Sequence, residues 1–200
     1  MRLRRHRDER GTALVEFALV APILFVILFG IIEFGFVFKD SLTLTNMTRS
    51  GVRTGAAAGN SITDPDADYE ILSAINGASG ALSANIIRVI IFDANTSATP
   101  DAACLGGVSQ TGGTTPCNVY TAADMAQVAT TWGAQNKADF ECSSTSWDQY
   151  WCPSARVVSQ SAGPTYLGVY ISAHHSNITG FFHSLTLSDV SVMRLEPQTF

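Results

Sequence analysis

Glu16 is the residue whose position demands most of the chain. It is a carboxylate at the head of Phe17 to Ile32, a run without a single charge. A carboxylate inside or beside a membrane-spanning stretch is costly unless it is paired, so Glu16 calls for a cationic partner at the membrane boundary. Glu33, at the far end of the run, is expected to be solvated at the outer face. Other residues suggest metal chemistry and fall short of it. His174, His175 and His183 share one segment, but adjacent histidines point apart on a strand and no glutamate-bearing zinc pattern accompanies them. They are expected to be solvent-facing loop residues. Asp93-Ala-Asn95-Thr-Ser97 comes near an Asp-x-Ser-x-Ser cation motif, yet Asn95 breaks it and a turn after a strand is the expected structure. Asp64-x-Asp66-x-Asp68 lacks the glycine and final glutamate of a calcium loop, since Tyr69 and Ile75 stand at those positions. No metal site, cofactor or catalytic residue is expected.

The elements that would position these residues follow from hydropathy. Phe17 to Phe38 is close to the ~20 apolar residues that a helix needs to cross a hydrocarbon core of about 30 Å. Thr12 to about Gly59 reads as one helix on the order of 70 Å long, kinked at Pro22, whose second half must project outward. There Leu44, Met47, Gly51, Gly55 and Ala58 recur at helical spacing, a stripe for the chain's own domain or for another helix. Asp64 and Pro65 are expected to cap a second helix, with Asp66, Asp68 and Glu70 favouring its positive end. Residues 86–92, 164–172 and 187–195 read as strands. Between them, 93–156 reads as a long irregular insertion, with one helix over 122–134.

Such a stretch needs tying down, and all four cysteines lie in it: Cys104, Cys117, Cys142 and Cys152. Three pairings are open to them. Proximity favours Cys104 with Cys117 and Cys142 with Cys152, and the absence of a Cys-x-x-Cys pair argues against zinc. Five arginines precede Gly11, whereas few basic residues follow the apolar run directly, so the positive-inside tendency sets the N-terminus in the cytoplasm. The cysteines then fall on the outer side, where disulfides persist. The formal charge is −5. Removing residues 1–11 would take away five arginines and two carboxylates, leaving −8, which argues against a nucleic-acid partner. A secretory signal is a poorer reading, because its apolar core is shorter and ends at a small-x-small site.

Gly11-Thr-Ala-Leu-Val-Glu16-Phe17, then Pro22, Phe29-Gly-Ile-Ile-Glu33-Phe34-Gly35 and Arg49-Ser-Gly51-Val-Arg53, resembles the TadE-like minor pseudopilins of the Tad pilus system. Val190-Ser-Val-Met-Arg194-Leu-Glu196-Pro197 resembles their last strand, and the cysteine-bearing middle has no counterpart. The resemblance implies a leader peptide at 1–11 cut by a prepilin peptidase between Gly11 and Thr12. It implies an assembly helix over 12–59 and an extracytoplasmic α+β domain over 60–200, with a small antiparallel sheet and the insertion at about 93–156. Glu16, next to Phe17, would pair with the new Thr12 ammonium of its own or a neighbouring chain. The implied partners are the membrane, the peptidase, other pilins and the Tad assembly machinery, with Phe181 and Phe182 as a candidate partner contact. The competing reading is a membrane-anchored extracytoplasmic enzyme or ligand-binding protein.

Overall fold

The computed structural model describes residues 8–58, 66–130, 138–156, 158–159, 163–178, 180 and 184–196. The apolar run and the segment after it form one helix, α1 (Asp8–Ala58), with Pro22 inside it. Its 51 residues rise ~1.5 Å each, giving about 77 Å. Among the described residues α1 is the one helix long and apolar enough to cross a membrane. Leu14 to Phe38 are largely exposed, whereas Leu44, Met47, Thr48, Gly51, Val52, Gly55 and Ala56 are buried. The small-residue stripe therefore serves the chain's own domain. A Cβ on Gly51 would lie 2.8 Å from Ile75, and one on Gly55 would lie 2.2 Å from Leu167.

Helix α2 (Ala67–Ser79) buries Ile71, Leu72 and Ile75 at helical spacing. The capping pair expected at Asp64 and Pro65 lies outside the described residues. Asp66 occupies the cap position, and its carbonyl accepts the Glu70 N–H. The strands are β1 (Ile86–Asp93), β2 (Cys117–Thr121), β3 (Val158–Ser159), β4 (Gly163–Pro164), β5 (Tyr166–His175) and β6 (Leu185–Arg194). Four of them make an antiparallel sheet in the order β2-β1-β5-β6, while β3 and β4 form a separate ladder. Val89 pairs with Ile171, and Ile91 with Val169. The period-2 alternation turns these residues, with Leu167 and Ala173, into the main core beside Leu44, Met47, Val52, Ile71 and Ile75. Ile90 and Phe92 point to the opposite face, into a smaller cluster with Cys104 and Cys117.

The stretch expected to be an irregular insertion contributes to both clusters. It supplies α3 (Ala102–Gly106), β2 and α4 (Ala122–Thr130), and it sends Tyr120, Met125, Val128, Phe140 and Trp151 into the core. Phe140 is the hub, edge-on to Tyr69 at 5.7 Å and to Trp147 at 5.5 Å. Cys104 and Cys117 are bonded, closing a sequence separation of 13 residues. A loop of that size contributes about 3 kcal/mol in the chain-entropy account. α3 ends because Gly107 takes a left-handed φ of 98°, letting its N–H reach the Cys104 carbonyl.

Cys142 and Cys152, the second expected pair, are thiols in this structure. They are neighbours nonetheless, with Cys152 Sγ 3.8 Å from the Cys142 carbonyl. Asp148 holds Cys142 in place, accepting its N–H at 3.1 Å and its S–H at 3.5 Å. Burial pushes the Cys142 thiol well up, and its neighbours Cys152 and Asp148 add to the effect.

Asp101 pins the disulfide loop. Its carboxylate accepts from the Thr114 hydroxyl at 2.7 Å, Gln110 Nε2 at 2.8 Å and the Thr114 N–H at 3.0 Å. The Thr114 hydroxyl is the main cause that lowers the carboxyl from 3.8 to about 2. A depressed carboxyl contributes stability that is fully present above its unfolded value and lost as pH falls through the folded one. Amide exchange at Thr114 and Thr115 should therefore show protection at about pH 5 that disappears near pH 2. In Asp101→Ala, protection should already be reduced at the higher pH.

Candidate functional site: the apolar helix and its junction with the ectodomain

Gly11, Thr12, Glu16 and Phe17 lie in the first turns of α1, and all four are exposed. The backbone at Gly11 is helical here, and an extended backbone at this point would need the first turn to unwind. A glycine makes such unwinding easy, because it favours the helix by about 1 kcal/mol less than alanine does. Packing does not explain the glycine: a Cβ at position 11 would meet nothing within 4 Å. From Glu16 to Glu33 is 17 residues of helix, roughly 26 Å. The two carboxylates bracket a length a few ångström short of a hydrocarbon core of about 30 Å.

The outer end differs from expectation. Glu33 is 5% exposed rather than solvated, and His175 is 3% exposed rather than a solvent-facing loop residue. The cause is strand register. His175 ends β5 on the face that carries Leu167, Val169, Ile171 and Ala173, so its side chain meets α1, while His174 points outward and is exposed. His175 Nε2 lies 3.3 Å from Glu33 Oε1, and Nδ1 lies 2.7 Å from Asp40 Oδ2. The Ile178 N–H donates to both Glu33 oxygens, at 3.2 and 3.3 Å. Glu33 and Asp40 are seven residues apart, hence on one face of the helix, and the imidazole fits between them. The two ring nitrogens face different carboxylates, so the cluster cannot converge on one cation. Among the described residues no group of three or more His, Cys, Asp or Glu is arranged to hold a metal ion.

The Asp93 to Ser97 segment is a turn. Asp93 Oδ1 accepts the Asn95 N–H at 2.9 Å, Asn95 Oδ1 accepts the Tyr166 N–H at 2.9 Å, and the Ser97 hydroxyl donates to the Thr99 carbonyl. Those oxygens are committed to closing the backbone. His183 and the contact expected at Phe181 and Phe182 lie outside the described residues.

One polar site escaped the sequence reading. Asp68, expected only to favour the positive end of α2, is fully buried against a fully buried Arg156, Nη2 to Oδ1 2.5 Å. Asn118 Nδ2 at 2.8 Å and the Tyr120 hydroxyl at 2.7 Å donate to its other oxygen. Burial, and then the Asp68 charge, push the Tyr120 phenol well up, so it stays a donor. Arg156 also donates to the Trp151 carbonyl at 3.0 Å and stacks over the Trp151 ring at 4.3 Å. With every oxygen of Asp68 occupied and no opening to solvent, this network ties the folded domain together.

The site residues expected from the sequence therefore separate by position, with the exposed Gly11 to Phe17 at one end of an apolar helix and a folded domain at the other. The family model described as TadE-like protein matches residues 11–53. Over this segment the chain is similar to TadE-like proteins. No curated protein and no solved structure matches the chain. The TadE-like segment opens at Gly11 and closes at Arg53, so it takes in the exposed apolar stretch and most of the face on which the ectodomain rests.

Proposed function

We propose that the protein is a minor pseudopilin that supports assembly of a Tad-type adhesive pilus and performs no catalysis of its own. α1 holds it in the membrane, with the N-terminus in the cytoplasm and residues from about 60 onward outside. A prepilin peptidase cuts between Gly11 and Thr12, and the new ammonium pairs with Glu16. The observation that carries this reading is the coincidence at Gly11. The TadE-like match starts there, the glycine has no packing role, and an exposed carboxylate follows five residues later at the edge of an uncharged run. An unpaired Glu16 at that depth is costly, and a neighbouring ammonium removes the cost. The partners are the peptidase, other pilins and the assembly machinery, and no cofactor takes part.

The test is the intact mass and N-terminal residue of the protein from its own cells, with and without the peptidase. A start at Thr12 that depends on the peptidase is expected, and a Met1 start in both strains would refute the processing. The same spectrum, taken without reductant, tests the second disulfide. We assign Cys142 and Cys152 to a bond that forms after export, and the mature mass should lack the hydrogens of both pairs rather than one.

A further inference from the structure

The apolar run is too short if it stops at Glu33. Phe17 to Ile32 covers roughly 24 Å at 1.5 Å per residue, several ångström less than a typical hydrocarbon core. Continuing to Phe38 gives about 33 Å and brings Glu33 inside. At this level α1 is apolar all round its free surface: Ile31 is exposed, Phe34 is 72% exposed, and Phe38 is exposed. Glu33 itself is hidden, its oxygens taken by His175 Nε2 and the Ile178 N–H. Beside it, the ectodomain presents Ile178, which is 62% exposed. The charges facing this cluster are Asp40, held by His175 Nδ1, and Lys39, whose Nζ lies 3.9 Å from Asp40 Oδ1. Lys39 is largely exposed, and a lysine there can reach up to headgroups.

We propose that the segment from His175 to Ile178 is a lipid-facing foot, seated in the outer interfacial layer of the bilayer beside Phe34 and Phe38, and that His175 masks Glu33 so that it can sit there. The proposal rests on α1 being membrane-inserted. Ile178 is exposed while its own N–H meets Glu33, which places it at the depth of the apolar stretch of the spanning helix and favours lipid as the occupant. A bare carboxylate at position 33 would resist entry, and the Ile178 N–H, which donates to it, together with the His175 ring packed against Oε1 replaces the water it gives up. The imidazole thus sets how deep the ectodomain rides.

The test uses the full chain in phosphatidylcholine vesicles, with Cys142→Ser and Cys152→Ser as background. A fluorophore is placed through Ile178→Cys or, at the far end of the ectodomain, through Ala98→Cys. Nitroxide lipids should quench the probe at 178 several-fold more than aqueous iodide does, with the order reversed at 98. His175→Leu should shift the 178 probe toward iodide, and adding Glu33→Gln should restore lipid quenching, which a merely misfolded variant would not do. Iodide dominance at 178 in a chain that floats with the vesicles would overturn the foot alone. An unchanged pattern in His175→Leu would overturn the masking role. A chain that fails to float would remove the membrane reading and the foot with it.

Discussion

Replacing Arg156 with alanine is expected to destabilise the ectodomain by about 3–5 kcal/mol, because it leaves Asp68 charged and buried without its partner. Few domains can lose that much from a total of roughly 5–15 kcal/mol. Arg156 is the sole cation on Asp68 among the described residues and also covers the Trp151 ring, so charge and packing are lost together. Urea unfolding of the full chain in detergent, followed by tryptophan fluorescence, reads the effect through Trp147 and Trp151. Arg156→Lys should recover only part of it, since an ammonium cannot reproduce the planar stack on Trp151. The deciding comparison is Arg156→Met with Asp68→Asn. Removing both charges should cost less than Arg156→Met alone, because the buried carboxylate is what makes the single change expensive. Additive losses would mean that water reaches Asp68 and that the network is not closed.

This network shows where sequence reasoning runs out. β1, β5 and β6 were legible because β-branched runs bounded by turn residues announce strands, and α1 because twenty apolar residues can do little else. The small-residue stripe at Gly51 and Gly55 was also legible, and of the two partners open to it the chain's own domain is the one it meets, through Ile75 and Leu167. β2 was missed because Cys117-Asn-Val-Tyr-Thr121 is short and mostly polar, and it becomes a strand only through pairing with β1. Asp68 and Arg156 are 88 residues apart, and each alone reads as a surface charge. Glu33 and His175 failed in the same way at a separation of 142 residues. The one available signal was the strand alternation that sends His174 and His175 to opposite faces, which identifies an inward histidine without saying what it meets. At the candidate site, the Gly11-to-Glu16 spacing could be read directly because it is local, and so could the Cys104–Cys117 pairing across a short loop, whereas the contacts Asp68–Arg156 and Glu33–His175 join distant segments and were hidden.

Gly168 carries the second large effect. A glycine in a central strand loses backbone entropy and side-chain packing, so its presence there calls for a reason. The reason is the Phe92 ring directly across the β1–β5 pair: a Cβ on Gly168 would lie 2.3 to 2.7 Å from three ring atoms. The ring cannot simply swing away, because Phe92 is fully buried and packs into the cluster with Ile90, Cys104 and Cys117. Gly168→Ala should therefore cost about 1–3 kcal/mol through overpacking, and Gly168→Val more. The strain should pass outward to the disulfide loop, detected as faster amide exchange over residues 94–116. Phe92→Leu removes the obstructing ring, so the double variant with Gly168→Ala should be less destabilised than the two single losses added together, by about 0.5–3 kcal/mol. Simple additivity would show that the ring moves without resistance, contrary to this packing. The damage should also stay local. Gly168 and His175 are seven residues apart on β5, roughly 23 Å along an extended strand, and beyond additive range. A Gly168 variant that loosens the disulfide end yet leaves the Ile178 probe in lipid would show the ectodomain's two ends to be separately secured, one by the Phe92 cluster and the other by His175 on Glu33.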